Sequence, residues 1–198
     1  SPRAGGAIRT HRLLTSLAAA SDVAVVSRTP VDTAEFARQT GAKDVSVRLL
    51  QRRSRAAAKL AGVVRARPAI MAAASSRALR RELRRHADEG RVLVFDHLRA
   101  VGNRPRRARC VVVLQNIDSE LLRPGADVRA LSVRRLTAAL ERRLAERHER
   151  LLARDPAALV VVVSERDRDL LGGDAVVVPN GADLAAVVPP RDPEGTAL

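Results

Sequence analysis

Val92-Leu93-Val94-Phe95-Asp96-His97 is a short apolar run that stops on two polar residues. The form recurs three times downstream. Cys110–Asn116 reads CVVVLQN, Ala157–Glu165 reads AALVVVVSE and Ala175–Gly181 reads AVVVPNG. Upstream, Asp22–Ser27 (DVAVVS) and Val45–Leu49 are similar runs. These segments are Val-rich and continuous rather than alternating, which is the pattern of strands covered on both faces. Stretches with helical spacing separate them. Together they predict an α/β chain with a doubly wound, mostly parallel, Rossmann-like sheet joined by right-handed crossovers.

The intervening segments carry helix signals. Residues 7–20 place Leu13, Leu14, Leu17 and Ala18 on one face. Thr33–Gln39 is a short helix stopped by Gly41. Residues 52–66 and 75–88 are two arginine-rich helices parted by Arg67-Pro68. Residues 102–109 form a loop by their Gly and Pro content. Residues 128–154 make a long helix with Leu131, Leu136, Leu140, Leu144 and Leu151 spaced as one stripe. Glu165–Leu171 is a short helix ended by Gly172-Gly173. In this reading His86 and His148 are solvated surface residues.

At 198 residues the chain has the size of one domain, and 46% hydrophobic residues suffice for a packed core. Aromatics are 1%, so Ala, Val and Leu build that core, and a ligand site relies on backbone amides, Arg and His. The net charge is +14, and Lys43 and Lys59 are the only lysines. Two readings of the charge stay open. One is compositional drift. The other is a functional basic surface for nucleic acid, an anionic membrane or phosphorylated ligands. The single cysteine, Cys110, excludes an internal disulfide and a cysteine metal cluster, and reads as a small buried hydrophobe. No apolar run is long enough to span a bilayer. The histidines lack metal-ligand spacing, so no metal site is expected.

In open parallel sheets, ligands bind beyond the carboxyl ends of the strands. The polar residues there are Asp96-His97, Gln115-Asn116, Ser164-Glu165 and Asn180-Gly181. His97 suits a general acid/base, a hydrogen bond to a sugar hydroxyl, or the plain capping of a strand end. Neighbours in an extended chain point apart, so Asp96 and His97 are not expected to form a dyad. Asp118 or Ser119 would cap the next helical turn, and Asn116 would point into a cleft. Gly5-Gly6 precedes a helix, where glycines admit a ligand to the backbone and the dipole favours an anion. Arg9, one turn in, adds a charged fork. An ordinary loop pair of glycines is the alternative. Neither a dinucleotide fingerprint nor a P-loop is present.

Four segments, in order, resemble one family. Gly5-Gly6-Ala7-Ile8-Arg9-Thr10-His11-Arg12-Leu13-Leu14 resembles the GG-x-x-R-x-x-x-L-L start of family-four-like, retaining GT-B glycosyltransferases. Gln115–Glu120 resembles their H-N-x-E-S segment, and Val163–Asp167 their V-S-E-x-D turn. Val178-Pro179-Asn180-Gly181-Ala182-Asp183-Leu184 resembles V-P-N-G-V-D. The resemblance implies the N-terminal, acceptor-side half of a GT-B fold, transferring a sugar from a nucleotide-diphosphate sugar to a glycan, lipid-linked or small-molecule acceptor with retention and without a metal or cofactor. It implies that Gly5, Gly6 and Arg9 approach the donor diphosphate. His97, Gln115 and Asn116 would line the acceptor cleft. Ser164, Glu165, Asn180, Gly181 and Asp183 would belong to the interdomain loops.

Three departures stand out. The strand expected before Gly5-Gly6 is missing. Gln115 replaces a histidine and cannot shuttle a proton at neutral pH. The C-terminal domain, with its pair of glutamates around the donor, is also missing. Residues 1–188 are therefore expected to be the incomplete N-terminal domain and 189–198 a linker to the absent C-terminal domain. No catalytic residue is assigned here, and the chain alone is expected to be inactive. A cytoplasmic location is expected, peripheral to an anionic membrane surface. A non-catalytic binding module of the same fold is the alternative. A specific nucleic-acid role is not expected, since aromatic stacking platforms are lacking.

Overall fold

A computed structural model of the chain describes residues 5–27, 30–47, 55–122 and 133–179. The first part runs α1 (Gly5–Ala20), β1 (Ala24–Ser27), α2 (Thr33–Thr40), β2 (Asp44–Val47), α3 (Arg55–Val64), α4 (Ala69–Ala73) and α5 (Arg77–Asp88). The second runs β3 (Leu93–Asp96), α6 (Leu98–Val101), β4 (Cys110–Val113), α7 (Asp118–Leu121), α8 (Val133–Ala153), β5 (Ala158–Val162), α9 (Glu165–Leu171) and β6 (Val176–Val177).

Every strand pairing among the described residues is parallel, in keeping with the Val-rich runs. The described strands form two sheets rather than one. β1 pairs with β2, while β3, β4, β5 and β6 follow one another in a four-stranded sheet. β5, the most apolar run, is paired on both sides. The architecture is α/β with parallel strands, compatible with a Rossmann-like fold. The sheet is divided because no described ladder joins β1 or β2 to β3.

The core belongs to the four-stranded sheet. Leu93, Phe95, Cys110, Val112, Leu114, Val160 and Val162 are buried, joined by Met71, Leu98, Ile117, Ala145, Leu152 and Leu171 from the helices. Cys110 is free and buried, and burial raises its thiol pKa first of all. Burying these aliphatic chains contributes about 1.5–3 kcal/mol apiece before entropy is charged against it.

Helix ends follow sequence rules. Asp32 caps α2 by accepting from Glu35 N–H at 3.0 Å, and Gly41 closes it at φ +74°. Gly172 closes α9 at φ +63°. Ser76 caps α5, so that helix begins just inside the expected 75–88. Two short helices, α4 and α6, lie where no helix was expected.

The long helix corrects the leucine stripe. Leu136, Leu140 and Leu151 are exposed, whereas Ala145, Glu149 and Leu152 are buried. Steps of four residues turn through 400°, so leucines at 136, 140 and 144 drift around the helix. The buried positions 145, 149 and 152 keep to one face. Leu131 and residues 128–132 lie outside the described residues. So do the expected linker at 189–198, the ends of the expected segments 45–49 and 52–66, and the Asn180-Gly181-Ala182-Asp183 motif.

Candidate functional site at the ends of the third and fourth strands

β3 and β4 run in parallel register, with Asp96 opposite Val113. Their carboxyl ends therefore sit side by side. His97 N–H continues the ladder to Val113 O at 2.9 Å, and Leu114 N–H reaches Val161 O at 2.8 Å. Gln115, two residues beyond the end of β4, emerges beside Asp96. The early turns of α1 reach the same place and bring Arg9 and Thr10.

Asp96 is the centre of this meeting. Thr10 Oγ1 donates to Asp96 Oδ2. Gln115 Nε2 donates to Asp96 Oδ1 at 2.8 Å and lies 3.4 Å from Thr10 Oγ1. Burial alone would raise the Asp96 pKa. The contact with His97, the Thr10 hydroxyl, the His97 charge and the Gln115 amide outweigh it, and the carboxyl ends below its ordinary value. Arg9 is half-buried nearby; burial lowers its pKa while Asp96 raises it, and the net direction is down. A guanidinium stays charged at neutral pH all the same.

His97 corrects the expectation that it and Asp96 point apart. Its backbone lies at φ +79°, ψ 150°, so the chain is not extended there. The kink turns the imidazole back, and Nδ1 lies 2.9 Å from Asp96 Oδ1. The separation is that of an ion pair, although the buried ring nitrogen is not aligned for a regular hydrogen bond. A positive φ at a non-glycine residue costs of order 1–3 kcal/mol, which the surroundings must offset.

A second carboxyl group flanks the imidazole. Burial raises the Asp118 pKa, and the charges of His97 and Arg99 oppose that rise without cancelling it. Asp118 opens α7, but neither it nor Ser119 is the cap that was expected. Ile117 occupies the cap position, with no side-chain bond. The acceptor comes from α8 instead: Glu149, 2% exposed, takes the Ser119 N–H on Oε1 at 3.2 Å. Burial raises the Glu149 pKa first of all, and its bonds to Ser119 only partly offset this.

The other expected site residues divide. Gly5 and Gly6 are not in a loop before the helix but in the first turn of α1. Their amides are among those a helix leaves without internal partners. Asn116 is exposed and stands outside the Asp96 network. Ser164 is engaged locally: its Oγ accepts from Asp167 N–H at 3.1 Å and donates to Asp167 Oδ2 at 2.8 Å, capping α9. Glu165 is exposed and pairs with Arg168 at 2.6 Å. Asn180, Gly181 and Asp183 lie outside the described residues. Two histidines are corrected. His86 is buried at 6% exposure, with Nδ1 3.4 Å from Glu89 Oε2. His148 is half-buried; burial lowers its pKa, Leu144 O at 3.1 Å opposes this, and Arg67 and Arg147 add to it.

Thr10, Asp118 and Glu149 were not among the expected site residues. Thr10 lies inside the first motif, next to Arg9, and that adjacency was its only signal. Glu149 is one acid in an arginine-rich helix, and nothing in its neighbours marks it as buried.

The network offers acceptors on Asp96 and Asp118 and donors on Arg9, Gln115 and His97. Such alternation suits a polyhydroxylated or anionic ligand. Among the described residues no group of three His, Cys, Asp or Glu side chains converges as metal ligands would. Comparison with known protein families, with curated proteins and with solved structures finds no match.

Proposed function

We propose that this chain is the acceptor-side half of a retaining GT-B glycosyltransferase, which transfers a sugar from a nucleotide-diphosphate sugar to a glycan, lipid-linked or small-molecule acceptor. One observation carries the reading. Thr10 and Gln115, from two segments distant in sequence, and the adjacent His97 meet on Asp96 at the carboxyl edge of a parallel sheet, where open α/β folds take their ligands. In this reading Arg9 and the amides of Gly5 and Gly6 face the donor diphosphate. Asp96, His97 and Gln115 hold acceptor hydroxyls. Catalysis in such enzymes rests on positioning and on stabilising the departing diphosphate, and both draw on a second domain. These residues alone then bind without turnover.

A non-catalytic binding module of the same fold is the second reading. Gln115 favours it, because an amide already bonded to Asp96 offers no proton shuttle.

Amide-resolved NMR titration tests the proposal. Nucleotide-diphosphate sugars and simple glycan acceptors are expected to shift resonances at residues 9–10, 96–98 and 115–119, and Arg9→Ala with Gln115→Ala to abolish the shifts. Saturable shifts confined to other surfaces would overturn it. Turnover of nucleotide-sugar by these 198 residues alone would overturn the reading that they bind without turnover.

A further inference from the structure

Glu149 belongs to the arginine-rich helix α8 and yet is 2% exposed. A buried carboxylate is costly unless its oxygens are bonded. Those of Glu149 serve one element, the four-residue helix α7. Oε1 accepts the Ser119 N–H at 3.2 Å, and the Ser119 hydroxyl and the Asp118 N–H also bond to the carboxyl. An aliphatic side chain at 149 could pack there but would leave those donors unpaired.

α7 needs such a hold. A single helical turn does not sustain itself in water. Ile117, 4% exposed, anchors it by packing but gives no side-chain bond at the cap position. The polar side of the turn therefore rests on Glu149. The first residue of that turn is Asp118, whose carboxyl faces the charges of His97 and Arg99. His97 in turn meets Asp96 at the centre of the candidate site. Glu149 thus reaches the site at one remove, through backbone that carries a site carboxyl.

We infer that Glu149 is a positioning residue: by holding the start of α7 it sets Asp118 against His97 at the edge of the ligand site. The ligand arm of its test rests on the proposed function, whereas the ligand-free arm does not.

Two variants separate reach from charge. Glu149→Gln keeps the length and an acceptor oxygen, and Glu149→Asp keeps the charge but falls a methylene short. Without ligand, the carbon-13 resonance of the Asp118 carboxyl is followed against pH. Burial holds this carboxyl above its ordinary value, against the charges of His97 and Arg99. In Glu149→Asp the turn loosens and water reaches Asp118, so the midpoint is expected to fall toward the ordinary 3.8. In Glu149→Gln it is expected to stay, because Glu149, raised by burial and by the Asp118 charge, is already neutral when Asp118 takes its proton. With UDP-glucose and methyl glucoside as probes, Glu149→Asp is expected to bind methyl glucoside about tenfold more weakly and Glu149→Gln to bind it as wild type does. An Asp118 midpoint shared by wild type and Glu149→Asp overturns the inference. Equal losses in both variants overturn it too, and assign the effect to charge. If circular dichroism shows Glu149→Asp unfolded, Ser119→Ala takes its place. That variant deletes only the hydroxyl donor and is expected to move the midpoint the same way by less; no movement overturns the inference. If neither probe binds wild type, the proposed function fails, and the Asp118 midpoint alone decides the role of Glu149.

Discussion

The part of the molecule up to α3 and the part built on β3–β6 are made from similar sequence but packed differently. Among the described residues before α4, the buried ones are Thr40, Ala42, Ala58, Gly62 and Pro68, none of them a long aliphatic or aromatic side chain. From α4 onward the buried set includes Met71, Phe95, Leu98, Leu114, Val160 and Leu171. A two-stranded sheet gives its helices little to cover, whereas the four-stranded sheet buries Leu93, Phe95, Val112, Val160 and Val162 and leaves Val94, Leu159 and Val176 exposed. The candidate site joins the two parts. Thr10 and Arg9 come from the lightly packed part, and Asp96, His97 and Gln115 from the densely packed one. Binding there therefore depends on how firmly α1 stays docked, and ligand binding would in turn hold α1 in place.

The largest expected effect tests the packing difference. Leu114→Ala, at a side chain 1% exposed, is expected to cost about 2–5 kcal/mol in urea denaturation. Leu13→Ala, on the half-buried face of α1, should cost less than half as much. Equal losses would mean that α1 belongs to the main core. Hydrogen exchange checks the same point, with amides of β4 and β5 outlasting those of α1 and α2.

Next comes the link between the two parts. Asp96→Ala removes the acceptor shared by Thr10 and Gln115 and is expected to cost about 1–3 kcal/mol. The carboxyl pKa is depressed in the folded chain. Its contribution is therefore present above the unfolded value near 3.8 and is lost as pH falls through the folded one. The variant should lack that acid limb of the stability curve. An unchanged limb would show that α1 is not held through Asp96.

A smaller effect contrasts the β3–β4 edge with the β5 edge, where Ser164 serves only its own helix. Ser164→Ala is expected to cost about 1 kcal/mol and to leave the NMR titration of residues 9–10, 96–98 and 115–119 unaltered. Altered binding would extend the site to β5.

The smallest change is in a slope. The Glu149 pKa is raised, so its sign is opposite to that of Asp96. Its favourable contribution is full below the unfolded value near 4.5 and is lost as pH rises through the folded one. Glu149→Gln keeps an acceptor for Ser119 N–H and should change neutral-pH stability by no more than about 1 kcal/mol. It is expected to flatten the decline of stability between mildly acid and neutral pH. A persistent decline would place its cause elsewhere.

The strands were legible as aliphatic runs, and the six described strands lie within a few residues of the expected ones, but the runs overstated their covering: Val94, Leu159 and Val176 are exposed. The stops at Gly41 and Gly172 were legible because only glycine takes a left-handed backbone at no steric cost. The short helices α4 and α6 were not, since neither carries a capping side chain that bonds to it. The buried face of α8 was misjudged because leucine was taken as the marker of burial, whereas Ala145 and Glu149 face inward. His86 was misjudged for a similar reason: in a helix with arginine at 77, 80, 81, 84 and 85, a buried histidine looks like one more solvated residue.

By itself the sequence determined the parallel α/β character and the places where polar residues follow strands. Both depend on local order along the chain, and local order is what a sequence records. Tertiary structure alone decided that Thr10, Asp96 and Gln115 meet, that the backbone at His97 turns its ring onto Asp96, and that Glu149 caps a helix other than its own. Those contacts join residues 19 to 105 positions apart or rest on a strained dihedral. They arise only once parallel pairing has brought the ends of β3 and β4 together and the first turns of α1 have packed against them.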